Sequence, residues 1–348
     1  MLGAAYALVG LGILELFSIG QEDTSFASRQ IIWVILSSVV LFVVSSLDYQ
    51  MFRHYSGAVL TIYGMGLALL FVVLLGGSSV RGAQSWIELG PVNIAPVEFV
   101  KITVIILLAK YFAQRHTEIY RLRHIFVSGM YIALPSALVL MQPEFGSFII
   151  LAGIWVSMMF AAGIPLRSIL LVACIALVFV VFAWGFMLHD YQKVRLQTFL
   201  DPLGDPQGSG YQALQSGIAV GSAGLWGKGI GQGAQTQFGF LPDAHTDFIF
   251  AALSEELGMA GAGFLIVLFG ILIWRILYLA RHAENNFARF ACIGFAVMIS
   301  LQAFVNIGMN VGILPVTGIP IPFVSYGGSS MSSLFVALGF LQNIHMRT

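Results

Sequence analysis

Asp247, Glu255 and Glu256 lie within FLPDAHTDFIFAALSEELG, residues 240–258, at the start of an apolar run in a chain with only 9% charged residues. An ionised carboxylate in hydrocarbon costs at least ~2.5 kcal/mol even on insertion scales, so three together point to chemistry or to a paired polar network. Read as a helix from 246, the face of Asp247 continues through Ala251, Ser254 and Gly258, all of them small. Such a stripe either lets another helix approach closely or leaves a groove for a lipid chain. Asp247 itself is either a general base or a first-turn acid that meets the helix dipole near the headgroups. For Glu255 and Glu256 structural hydrogen bonding is the better fit.

A second group lies in RGAQSWIELGPVNIAPVEFVKI, residues 81–102, a loop running into an apolar span. Pro96 suits a first helical turn, and Glu98 suits the N-terminal dipole. Lys101 does not, and it needs a partner; Glu98, three residues before it, is within reach. The pair is either a structural ion pair or a cation held ready for an anionic ligand, with Arg81 nearby. A third stretch, GILPVTGIPIPFVSYGGSSM at 312–331, is broken by Pro and Gly and contributes Ser325 as a further ligand-contact candidate. Irregular backbone at membrane depth is tolerated only under protein or beside water, so this stretch is expected to line the same cavity.

Two other patterns carry less. Gly227-Lys228-Gly229 lacks the Walker A spacing and follows no strand, so nucleotide binding is unsupported. His245 with Asp243 and Asp247 has the residue types of a metal cluster, yet a histidine at a membrane interface is more often hydrogen-bonded, and no metal ligand is assigned.

The elements that must position these groups are membrane helices. The 348 residues are 58% hydrophobic with a mean hydropathy of +0.90, far outside soluble composition. Net charge is zero, which gives no field for binding nucleic acid. Cys174 and Cys292 each sit alone in apolar runs and read as core packing. A bilayer core of about 30 Å needs about 20 apolar residues per helix. On that criterion ten spans fall near 1–19, 30–47, 55–76, 95–113, 124–141, 147–162, 166–187, 246–274, 289–312 and 324–344. The first opens without a basic flank or a cleavage site and reads as a span rather than a signal peptide.

Arg53, Lys110, Arg115, Arg121, Arg123, Arg167, Arg275, Arg281, Arg289 and Arg347 gather on one side, which is therefore expected to be cytoplasmic, with both termini. Residues 188–245 form a long extracytoplasmic loop whose centre, GYQALQSGIAVGSAG, has the spacing of a short helix at the outer interface. No internal repeat stands out, against repeat-built transporters, and residues 1–348 read as one membrane domain.

The segments RGAQSWIELG with PVEFVK, QPEFGS, LPDAHTDFIFAALSEELG, NIGMNVGILPVTGIP and PFVSYGGSS, in this order, closely resemble the SEDS family (shape, elongation, division and sporulation). The loop ending GFLPDAHTDFIF resembles its elongation branch, RodA, more than its division branch, FtsW. The resemblance implies an all-α polytopic membrane protein of ten transmembrane helices, related to the GT-C glycosyltransferases. It also implies polymerisation of lipid II into peptidoglycan strands, a class B penicillin-binding protein as partner, and an active site facing outward from the bacterial inner membrane. The family's essential Asp falls on Asp247, and its paired Glu and Lys fall on Glu98 and Lys101. Val97 and Glu144 depart mildly from the family pattern.

The expected reaction takes a proton from an acceptor hydroxyl with Asp247 and steadies a departing pyrophosphate with Lys101 and Arg81. A divalent cation, Mg or Mn, is a candidate aid, and the small stripe beyond Asp247 would receive the polyprenyl tails. The competing reading is a flippase that moves the lipid-linked precursor through the same polar groove.

Overall fold

Backbone that crosses lipid must satisfy its own hydrogen bonds, which helices do internally. The computed structural model describes residues 1–20, 24–80, 83–90, 92–115, 122–165 and 209–347, with isolated positions between 166 and 208. Among these, nine of the ten expected spans coincide with a helix: α1 (Leu2–Gly20), α2 (Ser25–Ser46), α4 (Ser56–Gly76), α5 (Pro96–Arg115), α6 (Leu122–Met141), α7 (Phe145–Ala161), α10 (Ile249–His282), α11 (Asn286–Asn310) and α12 (Gly328–Met346). The seventh expected span, 166–187, lies outside the described residues, as do most of 188–208. Six of these helices, α1, α2, α4, α6, α10 and α11, are long and apolar enough to cross a membrane. A short helix, α3 (Gln50–His54), joins α2 to α4.

α5 carries Glu98, Lys101 and Lys110, yet it is an inner helix. Fifteen of its 20 residues are buried, and it packs against α4, α6, α7, α11 and α12. A helix buried all round needs apolar residues all round, with its few charges paired.

The loop ahead of α5 is more ordered than a purely helical reading expects. It holds a three-stranded antiparallel sheet, β1 (Ser78–Val80), β2 (Ala83–Leu89) and β3 (Val92–Ile94). Trp86 pairs with Ser78 and Ile87 with Ile94. QSWIEL contributes Trp86 and Ile87, the aromatic and β-branched types that favour strands. A turn with Gly90 at φ 65 closes the second hairpin.

The expected helix in the long loop forms as α8 (Ser209–Ser222). It does not lie free at the interface, because Ala219 packs with Leu241, Ala244, Phe248, Ala251 and Ala252. A one-turn helix, α9 (Ala234–Gln237), follows.

The eighth expected span, a continuous helix over 246–274, needs correction. α10 starts at Ile249 and is broken at Gly258, whose φ of 71 and ψ of −172 lie outside the helical region. Residues 223–229 insert at the break and complete its hydrogen bonds. Lys228 and Gly229 donate to the carbonyls of Glu255 and Glu256, both at 3.0 Å, while Met259 and Ala260 donate to Gly224 and Leu225, again at 3.0 Å. Groups orphaned by the missing turn are thereby satisfied without water. The stretch from Met259 to His282 is itself long enough, at ~1.5 Å per residue, to cross a ~30 Å core.

Candidate functional site

Asp247 lies in the turn just ahead of α10 rather than inside the helix. Its backbone is clamped from α11: Asn306 Nδ2 donates to the Asp247 carbonyl at 2.9 Å and Asn310 Nδ2 at 3.0 Å. Asn310 Oδ1 in turn accepts from the Ala251 N–H at 3.1 Å, so a neighbouring helix supplies one of the caps that the start of α10 needs. Asn306 also donates to the Ile319 carbonyl at 2.8 Å. Both asparagines are fully buried. Sequence reasoning did not single them out, although two Asn four residues apart in the apolar run NIGMN were a readable signal of a polar task.

The Asp247 carboxylate faces the Pro-rich stretch 312–331, because a Cβ added at Gly318 would lie 3.6 Å from Oδ2. Asp247 is partly open and Gly318 is exposed beside it. The same stretch grips the preceding residues. Tyr326 N–H donates to the His245 carbonyl at 3.0 Å, Ser325 Oγ donates to the Thr246 carbonyl at 2.6 Å, and Phe26 stacks on the His245 ring at 4.5 Å. Ser325 is only 4% exposed and its oxygen also accepts from the Ile321 N–H at 2.9 Å. Its geometry is that of a positioning residue for the Asp247 turn rather than of a ligand contact.

Glu98 and Lys101 form the expected pair, with Lys101 Nζ donating to Oε1 at 2.7 Å. Lys101 is 1% exposed, so its charge is opposed by protein rather than by solvent. A residue that sequence reasoning had only noted as a departure joins them. Glu144, just before α7, is half-buried with its Oε2 shielded from solvent, lies in the field of both Lys101 and Glu98, and accepts from the Ser147 hydroxyl at 2.5 Å. Burial pushes its carboxyl above the ordinary glutamate range, against the lowering pull of Ser147 and Lys101.

The two stations meet across one strand of backbone. Gly146 abuts Ile319 and the Thr317 carbonyl, and Gly318 between them abuts Asp247. Ser329, at the start of α12, accepts from Ala95 N–H at 3.1 Å and donates to the Asn93 carbonyl at 2.9 Å, which ties this stretch to the head of α5. Arg81 lies outside the described residues.

Glu255 and Glu256 are structural. Glu255 pairs with Lys228 at 2.6 Å and accepts from the backbone of Gln235 at 3.1 Å and Thr236 at 3.2 Å. Glu256 accepts from Ser18 and from Gln237. Beside them sits Glu15 of α1, fully buried, neither of its oxygens hydrogen-bonded; a lone acid in LGILELF was its only signal. The small stripe is no lipid groove. Ala251, Ser254 and Gly258 are buried, with α8 against the first part and Gly227 against Gly258, because small residues allow backbones to close in. A cavity of about 840 Å³ lies instead between α1 and residues 230–238, lined by Ile13, Leu14, Phe17, Ile230 and Phe238 among others. Among the described residues no three His, Cys, Asp or Glu side chains form a metal-holding group, so His245, Asp243 and Asp247 do not make one.

Residues 5–348 match the family of cell cycle proteins designated by FtsW, RodA and SpoVE. The chain is 37% identical over 345 residues to the peptidoglycan glycosyltransferase MrdB of Escherichia coli K12, covering 99% of this chain and 92% of that protein. It is 37% identical over 322 residues to the stage V sporulation protein E of Bacillus subtilis 168, covering 92% and 86%. Among solved structures, it matches a chain of a peptidoglycan synthase complex that coordinates polymerization and crosslinking, with a TM-score of 0.85 and 30% identity over 99% and 96% of the two chains. It also matches the rod shape determining protein RodA of Thermus thermophilus, with a TM-score of 0.74 and 27% identity over 99% and 95%.

Proposed function

Because the chain belongs to the FtsW, RodA and SpoVE family of cell cycle proteins, we propose that its partly open Asp247 is the base of a peptidoglycan glycosyltransferase reaction. The protein is a multi-pass membrane enzyme that joins lipid II into glycan strands, and its role is in cell elongation and shape. The observation that carries the site assignment is the construction around Asp247: two buried asparagines hold its carbonyl, Ser325 holds that of Thr246, and its carboxylate lies beside the exposed Gly318. A backbone fixed this firmly holds the Asp247 side chain in one place, as a catalytic group requires.

Lipid II presents an anomeric carbon bearing undecaprenyl pyrophosphate, a competent leaving group that needs no acid to protonate it. Asp247 takes the proton of the acceptor's 4-hydroxyl as that oxygen bonds to the anomeric carbon. The carbon–oxygen bond to the pyrophosphate breaks, and the negative charge that leaves with it is met by Lys101, oriented by Glu98. Arg81 is assigned to the same anion. One base and one displacement give inversion, an α-linked donor becoming a β-linked product, unlike the two-carboxylate glycosidases. The partner is a class B penicillin-binding protein that supplies crosslinking. The site faces outward from the inner membrane, with both termini in the cytoplasm.

The test is polymer formation from lipid II by the purified protein in detergent, with and without the partner. Asp247→Asn is expected to lose roughly 10²- to 10⁴-fold in rate while its melting temperature and its binding to the partner are retained. An unchanged rate removes Asp247 from the chemistry. Polymer made in detergent, where there is no second compartment, also separates this enzyme from a flippase.

A further inference from the structure

At the end of the bundle remote from Asp247, the start of α1 and the ends of α10 and α12 converge on a smaller concavity. It encloses about 260 Å³ and is lined by Met1, Arg275, Tyr278, Leu279, His282 and His345. Three of the six carry a guanidinium or an imidazole, and none carries a carboxylate. Among the described residues Arg275 has no acidic partner; its guanidinium lies 5.7 Å from the centroid of the Tyr278 ring. His282 is steadied by its Nδ1, 2.9 Å from the Tyr278 carbonyl, and by its ring, 4.2 Å from that of Tyr278. A guanidinium with two imidazoles beside it, in a concavity lined by no carboxylate, is suited to an anion, and the planar guanidinium fork matches phosphate oxygens.

The surroundings say what kind of anion. Trp274 and Tyr278 are 62% and 47% exposed, the placing of aromatic residues at the headgroup level of a membrane. With Val267 and Ile271, also exposed, they form a stripe at i, i+4, i+7 and i+11 running from the concavity toward the middle of α10. A phosphate in the pocket would thus have an apolar face leading directly away from it into the bilayer. Basic pockets between transmembrane helices are a known way of holding anionic lipid headgroups.

We propose that this pocket binds the phosphodiester of an anionic phospholipid, held by Arg275 with His282 and His345, its acyl chains lying along the Val267–Trp274 stripe. Free phosphate shares the headgroup chemistry but not the chains, and a zwitterionic lipid shares the chains but not the charge.

Thermal unfolding of the full-length protein in detergent, titrated with short-chain phosphatidylglycerol, short-chain phosphatidylcholine or inorganic phosphate, separates these. Phosphatidylglycerol is expected to raise the midpoint saturably, with the other two weaker at equal concentration. Arg275→Gln combined with His345→Gln should shift half-saturation by roughly tenfold or more, whereas Arg289→Gln, an exposed arginine outside the pocket, should respond like the parent. All the substituted side chains are exposed, and the same shift sought in His345→Gln alone guards against a misfolded double variant. An equal response to phosphatidylcholine, an equal response to inorganic phosphate, or an undiminished response in the double variant would each overturn the proposal.

Discussion

Carboxylates of one chemical type are put to different uses here by what surrounds them. Glu255 is saturated by an ammonium, two backbone N–H groups and a hydroxyl, so its charge is consumed in holding residues 228–236 to α10. Asp247 is held through its main chain and is half-buried, its carboxylate beside the exposed Gly318. Glu144 is a third case, a half-buried acid with its Oε2 shielded from solvent, and that desolvation raises its pKa more than Ser147 and Lys101 lower it. In the folded protein it therefore holds its proton more tightly than in the unfolded chain. From the ordinary glutamate value up to its raised one, the folded state binds more protons than the unfolded state, so stability should fall as pH rises through that window and level off above it. Unfolding midpoints measured across pH in detergent check this, with Glu144→Gln expected to flatten that part of the profile. A profile of unchanged slope in the variant would assign the dependence to another group.

At the scale of elements, the break in α10 sets where Glu255 and Glu256 point, and Gly258 permits it. A Cβ on Gly258 would meet the Gly227 nitrogen at 2.3 Å and the Leu225 carbonyl at 2.5 Å, in a backbone conformation of φ 71. Gly258→Ala combines backbone strain with a clash against main chain that cannot turn aside, and is expected to cost about 2–4 kcal/mol. Gly270→Ala, farther along the same helix with open space around it, should be neutral or stabilising by up to ~1 kcal/mol. Comparable losses in both variants would mean that the break is not the sensitive point. This element also shows what sequence could and could not reveal. The spans were legible because about 20 apolar residues in a row have few other places to go, and the Glu98–Lys101 pair because i and i+3 share a helix face. The break at Gly258 was not legible, because its hydrogen bonds come from residues 224–229 across a long loop and no local pattern announces them. The clamp from Asn306 and Asn310 and the approach of Glu144 to Lys101 are likewise contacts between elements distant in sequence. The small stripe was legible as a place of close approach or a groove, but its assignment to the polyprenyl tails fails, because protein packs against Ala251 and Gly258.

Over the whole molecule, the charges divide by end. Among the described basic residues, Arg53, Lys110, Arg115, Arg123, Arg167, Arg275, Arg281, Arg289 and Arg347 lie at the end away from Asp247. At the Asp247 end are Arg29, Lys101 and Lys228, of which the last two are committed to Glu98 and Glu255. Positive charge near the ends of spans is retained on the cytoplasmic side during insertion, and a lysine already paired with a carboxylate opposes that bias weakly. The division supports the proposed orientation, with Asp247 outward. Single cysteines placed in a background of Cys174→Ser and Cys292→Ala test it with a membrane-impermeant maleimide on spheroplasts. Ile313→Cys, in the exposed turn after α11 where the native side chain is 67% exposed, should label in intact spheroplasts. Glu284→Cys, in the exposed turn between α10 and α11, should label only after permeabilisation. The reverse pattern would place Asp247 on the cytoplasmic side, where it could not extend a glycan strand outside the cell, and would remove the proposed reaction along with the orientation.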